Sequence, residues 1–182
     1  MTPADGNTRL TLPVSDRDHI QGERIASVVL VEYGDYQCPL CLQAFAIVRE
    51  IQQQLTDRLC FVFRHFPCTK VHPYAQHAAE ASEAAAAQGK FWDMHDCLFA
   101  HQSALDNGHL VEYALAIGLD VNQFLNDMTQ DIHVDHVLED FDSGIQSGVI
   151  ATPTFFINGI RHQGSWDRAT LLAAILSQSR RQ

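Results

Sequence analysis

At 182 residues the chain is long enough to bury a hydrophobic core without disulfides, so its five cysteines need a chemical explanation. Acidic residues outnumber basic ones by 22 to 12 for a formal charge of -10, and no Lys/Arg cluster exceeds the terminal RRQ. That balance argues against nucleic acid and anionic membrane surfaces as partners. The opening MTPADGNTRLTLPVSDRDHI lacks the basic start and continuous apolar segment of a signal peptide, and no run in the chain has the length of a membrane span. The expected address is the cytoplasm; an exported mature form, cut from a precursor, would look the same.

In chain order, residues 27–34 (SVVLVEYG) form a β-branched run suited to a central strand. Pro39 then stands where a helix accepts its first residue, and Leu42, Phe45, Ile47, Val48, Ile51 and Leu55 supply an apolar stripe. RLCFVFRHF (58–66) returns to strand character, so 27–66 is predicted to be a βαβ unit. Residues 71–147 carry only helical signals: Pro73 and Gly89 bracket an alanine-rich segment, and Phe91, Met94, Leu98 and Phe99 make a stripe in the next. Asp120 with Gln123 resembles a capping pair, and Val134, Val137, Leu138, Phe141 and Ile145 line one side of a last long helix. TPTFFINGIRHQG then offers two short strands around Asn158-Gly159, a dipeptide suited to a type I′ turn, and Asp167 is placed to cap a final helix. No repeat, linker or low-complexity tract beyond the alanine run appears. The expected architecture is α/β: βαβ plus ββα around a central mixed sheet, with residues 1–66 and 148–182 as one domain and 67–147 as an all-helical insertion.

VEYGDYQCPLC (31–41) places two cysteines three positions apart at the predicted start of a helix. Unpaired N–H groups and the positive end of the helix dipole favour a thiolate there, which suits Cys38 as nucleophile. Cys41, one turn along and facing inward, lies within disulfide reach and suits the resolving role. Glu32, flanked by Val31 and Tyr33 in an apolar strand, is a candidate general base, because desolvation raises the pKa of a buried carboxyl. CxxC by itself also fits half a zinc site or a buried pair. A zinc site needs further ligands, and the close histidine pairs, His72 with His77 and His133 with His136, have no cysteine pair beside them.

These residues resemble the DsbA-like thiol-disulfide oxidoreductases, a branch of the thioredoxin fold with a helical insertion. VEYGDYQCPLC is similar to that family's strand, acidic residue and CxxC. FRHFP and HPYAQHAAEASEAAAAQGKFWDMHDCLF are similar to its second strand and insertion, and GVIATPTFFING to its cis-proline loop. The soluble domains fused behind some sodium/proton antiporters are similar too, and have a counterpart of LTLPVSDRDHIQG. The resemblance implies a cis bond between Thr152 and Pro153 facing the cysteines, with Thr152, Pro153 and the intervening Pro39 and Leu40 contacting substrate. It also implies electron transfer through the cysteines themselves, with no metal or dissociable cofactor. Substrates would be protein or small-molecule disulfides or dithiols, served by an unnamed redox partner. Leu40 replaces the histidine of the strongly oxidising members, which implies a weaker oxidant, and Cys68 and Cys97 stand where leucine is more usual.

Two other functions remain open at this point: a glutathione-dependent transferase or isomerase on the same fold, and a non-enzymatic redox-sensing or partner-binding module. Cys60 is expected to be a small buried residue. Trp92, Phe91 and Phe99 are expected in the insertion core, and His65 and His72 are marginal candidates for the active-site surroundings.

Overall fold

The structure, a computed structural model, describes residues 9–179. The basic terminal cluster and the outer ends of the expected first domain, residues 1–8 and 180–182, lie outside the described residues. The element order is β1 (His19–Gln21), β2 (Val28–Gly34), α1 (Pro39–Leu55), β3 (Leu59–His65), α2 (Ala75–Ala86), α3 (Phe91–Ala100), α4 (Asn107–Ala116), α5 (Val121–Thr129), α6 (Val134–Gln146), β4 (Thr154–Ile157), β5 (Ile160–Arg161) and α7 (Arg168–Ser179). The five strands form one mixed sheet in the order β1-β3-β2-β4-β5. β2 runs parallel to β3 and antiparallel to β4. This is the α/β class expected from the sequence, with five helices between β3 and β4.

Alternation along β2 decides what each face meets. Val28 and Leu30 point to the face covered by α1 and α7, where they pack with Val48, Ile51, Leu171 and Ile175. Val31 and Tyr33 point the other way, toward Val62, Phe156, Val149 and Phe141. Glu32 shares the parity of Val28 and Leu30, and so lies under α1. At the β4–β5 connection Asn158 and Gly159 both have positive φ (48° and 77°), the backbone a type I′ turn requires. The Asn158 side-chain oxygen also accepts from Val29 N at 2.8 Å, tying the turn to β2.

Local signals were accurate at helix ends. Pro39 is the first residue of α1 and Asp167 caps α7 by accepting from Thr170 N at 3.0 Å. Asp120 accepts from Gln123 N at 3.0 Å, but its own N–H goes to Gln88 Oε1 at 2.7 Å, so the reciprocal half of the capping box comes from another segment. Two stripes differ from expectation. The buried face of α1 is Cys41, Ala44, Val48, Ile51 and Leu55, and Leu42 is exposed. On α6 the buried side is Val137, Asp140, Ser143 and Gly144, whereas Leu138 and Ile145 are 46% and 53% exposed. The sheet offers that helix polar partners: Tyr33 Oη lies 2.7 Å from Ser143 Oγ, and His65 N donates to Asp140 Oδ2 at 2.9 Å. Gly144 also packs where an added Cβ would lie 2.7 Å from the Phe66 ring, so the close approach sets which side faces in. β1, only three residues long, carries no alternation that distinguishes it in sequence.

Candidate active site

β2 ends at Gly34, and a four-residue turn delivers the chain to α1. Cys38 is the N-cap of α1, with extended φ and ψ of -75° and 121°. Its carbonyl accepts from Cys41 N (3.0 Å) and Leu42 N (3.2 Å), which starts the helix. Asp35 holds the turn: Oδ1 accepts from Gln37 N at 2.8 Å, an Asx-turn, while Oδ2 accepts from Cys68 N at 2.9 Å and lies 2.8 Å from His72 Nδ1. From α3's end, Gln102 Nε2 donates to the carbonyls of Tyr36 (2.9 Å) and Cys38 (2.8 Å). The turn is thus clamped from two sides.

The two thiols differ sharply. Cys38 is lowered to about 5, chiefly by a hydrogen bond from the Cys41 thiol that outweighs partial burial, with help from the Thr152 side chain and the N–H groups of Cys41 and Leu40. Burial first, then Cys38 and Glu32, push the Cys41 thiol well up, and its Sγ accepts from Asp35 N at 3.4 Å. Glu32, 2% exposed, is raised to about 8, mainly by desolvation and secondly by Cys38. Its Oε1 has no hydrogen-bond partner among the described residues. A cavity of about 130 Å³ reaches this carboxyl, lined in part by Gln21, Gln52 and the Arg49–Asp96 ion pair. Both members of that pair are about half-exposed.

The Thr152–Pro153 bond is cis, and Cys38 Sγ donates to the Thr152 carbonyl at 3.6 Å, so the loop before β4 abuts the cysteine. Pro39 and Leu40 are exposed beside it, Thr152 is buried and Pro153 half-buried. Glu32, Cys38, Pro39, Leu40, Cys41, Thr152 and Pro153 therefore gather around the start of α1. His72 belongs to the surroundings through Asp35, whereas His65 turns to Glu83 (2.7 Å). Cys60 is buried, as expected for a small core residue; Phe91 and Phe99 are buried and Trp92 half-buried in a core shared with β2, α1 and α7. Cys68 and Cys97 are free thiols with separate neighbours, Asp35 for the first and His101 Nδ1 (3.7 Å) for the second. Sequence reasoning missed Asp35 and Gln102. Asp35 had a signal, an acid two residues before a turn N–H, but Gln102 had none, because its partners lie more than sixty residues away.

The contrast between the cysteines has a direct readout. Iodoacetamide is expected to alkylate Cys38 first, with a rate that rises through a midpoint near pH 5. Cys41, Cys60, Cys68 and Cys97 should lag, since burial is the first cause that raises each of them. Peptide mapping after a short pulse at about pH 6 checks this, and prior labelling of Cys68 or Cys97 would contradict it.

A family model described as Thioredoxin matches residues 15–176. Similar curated proteins include the Na(+)/H(+) antiporter NhaA 1 of Salinispora arenicola, 47% identical over 175 residues, and the Na(+)/H(+) antiporter NhaA of Herminiimonas arsenicoxydans, 43% identical over 164 residues. These matches cover 96% and 90% of this chain but 27% and 26% of those proteins, so the chain spans about a quarter of their length. Among solved structures, oxidised BdbD from Bacillus subtilis superposes with a TM-score of 0.81 at 24% identity, covering 90% of this chain and 94% of that one. The catalytic domain of Proteus mirabilis ScsC gives 0.77 at 19% identity, covering 92% of each chain. At these identities the structural likenesses speak to the fold. No helix among the described residues is long and apolar enough to cross a membrane.

Proposed function

The chain belongs to the thioredoxin family, and on that premise we propose that it is a DsbA-like thiol-disulfide oxidoreductase acting through Cys38 and Cys41. The observation that carries the reading is the opposed tuning of two thiols one helical turn apart: Cys38 down to about 5, Cys41 well up, with a buried carboxyl at about 8 beside them. In the reducing direction the Cys38 thiolate attacks a substrate disulfide. One substrate sulfur leaves as thiolate and a mixed disulfide forms. The Glu32 carboxylate takes the proton of Cys41, and the new thiolate attacks Cys38 Sγ, releasing the second substrate sulfur. The products are the Cys38–Cys41 disulfide and the substrate dithiol; oxidation of a substrate runs the same steps backwards. The proton on Glu32 leaves through the cavity that ends at Arg49 and Asp96.

Leu40, Pro39, Thr152 and Pro153 form the surface around the reactive sulfur in this reading, where an extended substrate segment docks. Residues 1–66 and 148–182 carry the chemistry, and 67–147 form the helical insertion that covers it. Leu40 brings no cation to the thiolate, so the couple is expected to lie on the reducing side of DsbA's potential of about -120 mV.

Turnover of a disulfide peptide with glutathione as reductant tests the proposal. Wild type should catalyse many cycles, Cys38→Ser none, and Cys41→Ser should stop as a mixed disulfide. A second reading rests on the antiporter relatives: the pair would sense redox state for a membrane partner. One round of reaction per protein, with no turnover under excess glutathione, would favour it.

A further inference from the structure

Three histidines far apart in sequence converge on one carboxylate. Glu83, on α2, has its Oε1 2.8 Å from His19 Nε2 and 2.7 Å from His65 Nε2, while its Oε2 lies 3.6 Å from His136 Nδ1. The histidines come from β1, the end of β3 and α6, so the cluster sits where the sheet edge meets two helices of the insertion. Glu83 and His65 are buried. His19 and His136 keep 18% and 27% of their side-chain surface, which leaves an ion a way in.

As a purely hydrogen-bonded cluster the arrangement is incomplete. Two imidazoles crowd one oxygen of Glu83, and the third faces the other oxygen at 3.6 Å, beyond a good hydrogen bond. The rings are nonetheless held. His19 stacks on Phe91 with centroids 3.6 Å apart and lies within 20° of parallel to His136 at 5.5 Å. One donor atom each from His19, Glu83 and His136 fall within 4.8 Å of one another. Small side-chain rotations bring three such atoms onto a central ion at bonds of about 2.0–2.2 Å.

We propose that His19, Glu83 and His136, with His65 as the adjoining fourth donor, form a binding site for a divalent transition metal such as zinc. Imidazole and carboxylate donors without sulfur suit Zn²⁺, Co²⁺ or Ni²⁺ rather than a soft monovalent ion. Asp140 lies just behind, engaged by Arg17 Nη1 at 2.8 Å and by His65 N, and so fixes the β3 end of the site. The ion would staple the helical insertion to the sheet edge, away from Cys38 and Cys41. No pattern in the sequence announces the site, because its ligands lie at positions 19, 65, 83 and 136.

The test is a Co²⁺ titration of chelator-treated, full-length chain, read by visible absorption and calorimetry. One equivalent should bind, with ligand-field bands and no thiolate-to-cobalt charge-transfer band. Cys38→Ser/Cys41→Ser should bind equally well, and His136→Gln should lose affinity by about 100-fold. Zn²⁺ should raise the thermal midpoint of wild type but not of His136→Gln, whose circular dichroism should match wild type without metal. No stoichiometric binding, a charge-transfer band that disappears with the cysteines, or undiminished binding by both His136→Gln and His19→Gln would each overturn the proposal.

Discussion

Replacing Glu32 by Gln is expected to slow resolution of the mixed disulfide by about 10²-fold or more while leaving attack by Cys38 within a few-fold of wild type. The proton that must move belongs to Cys41, whose thiol is pushed well up, and the carboxyl raised to about 8 is the base beside it. Mixed disulfide with substrate should accumulate and be visible by mass spectrometry. In wild type the resolution rate should rise with pH through about 8, since only about a tenth of Glu32 is ionised at pH 7. The variant should lose that inflection. Unchanged resolution kinetics would remove Glu32 from the mechanism. The same substitution carries a stability signature of fixed sign. A folded value raised from 4.5 to about 8 means that the Glu32 contribution is fully present below about 4.5 and is lost as pH rises through 8. With the cysteines oxidised, Glu32→Gln should therefore gain on wild type by roughly 3–5 kcal/mol between about pH 4 and pH 9, measured by urea unfolding.

The second large effect is at the opposite face of the sheet. Arg64 is fully buried: Nε and Nη2 donate to the two oxygens of Asp18 at 2.8 and 3.1 Å, Nη1 to Leu12 O and Tyr33 Oη, and Nη2 to Pro13 O. One guanidinium thus ties residues 12–18 to the sheet. Asp18→Ala strands that charge away from water, and is expected to cost about 3–5 kcal/mol in urea unfolding. Asp18→Leu combined with Arg64→Met should recover much of the loss, because the penalty comes from the unpaired ion and not from the missing attraction. The midpoint of Cys38 alkylation should stay where it is in both variants, since the network lies across the sheet from α1. A loss below about 1 kcal/mol for Asp18→Ala would mean that water reaches Arg64.

Features that depend only on neighbours along the chain were legible in the sequence. The β-branched run of β2, proline at the first turn of α1, the Asn158-Gly159 turn and the Asp167 cap are local, and each was readable because backbone sterics and capping act over a few residues. The placement of Cys38 at a helix start and of Glu32 on the α1 side of β2 followed from the same short-range geometry, together with the alternation of a strand. Which groups meet across long stretches of chain is set by packing alone. α6 turns Asp140 and Ser143 inward and leaves Leu138 and Ile145 exposed, because polar partners on β2 and β3 and the close approach at Gly144 outweigh its apolar stripe. Gln102 clamps the turn before Cys38, Asp35 is joined by His72, and three histidines gather on Glu83 through partners scattered along the sequence. Periodicity reports how often a residue faces a core; what waits for it there is set by the packing of segments that the sequence keeps apart.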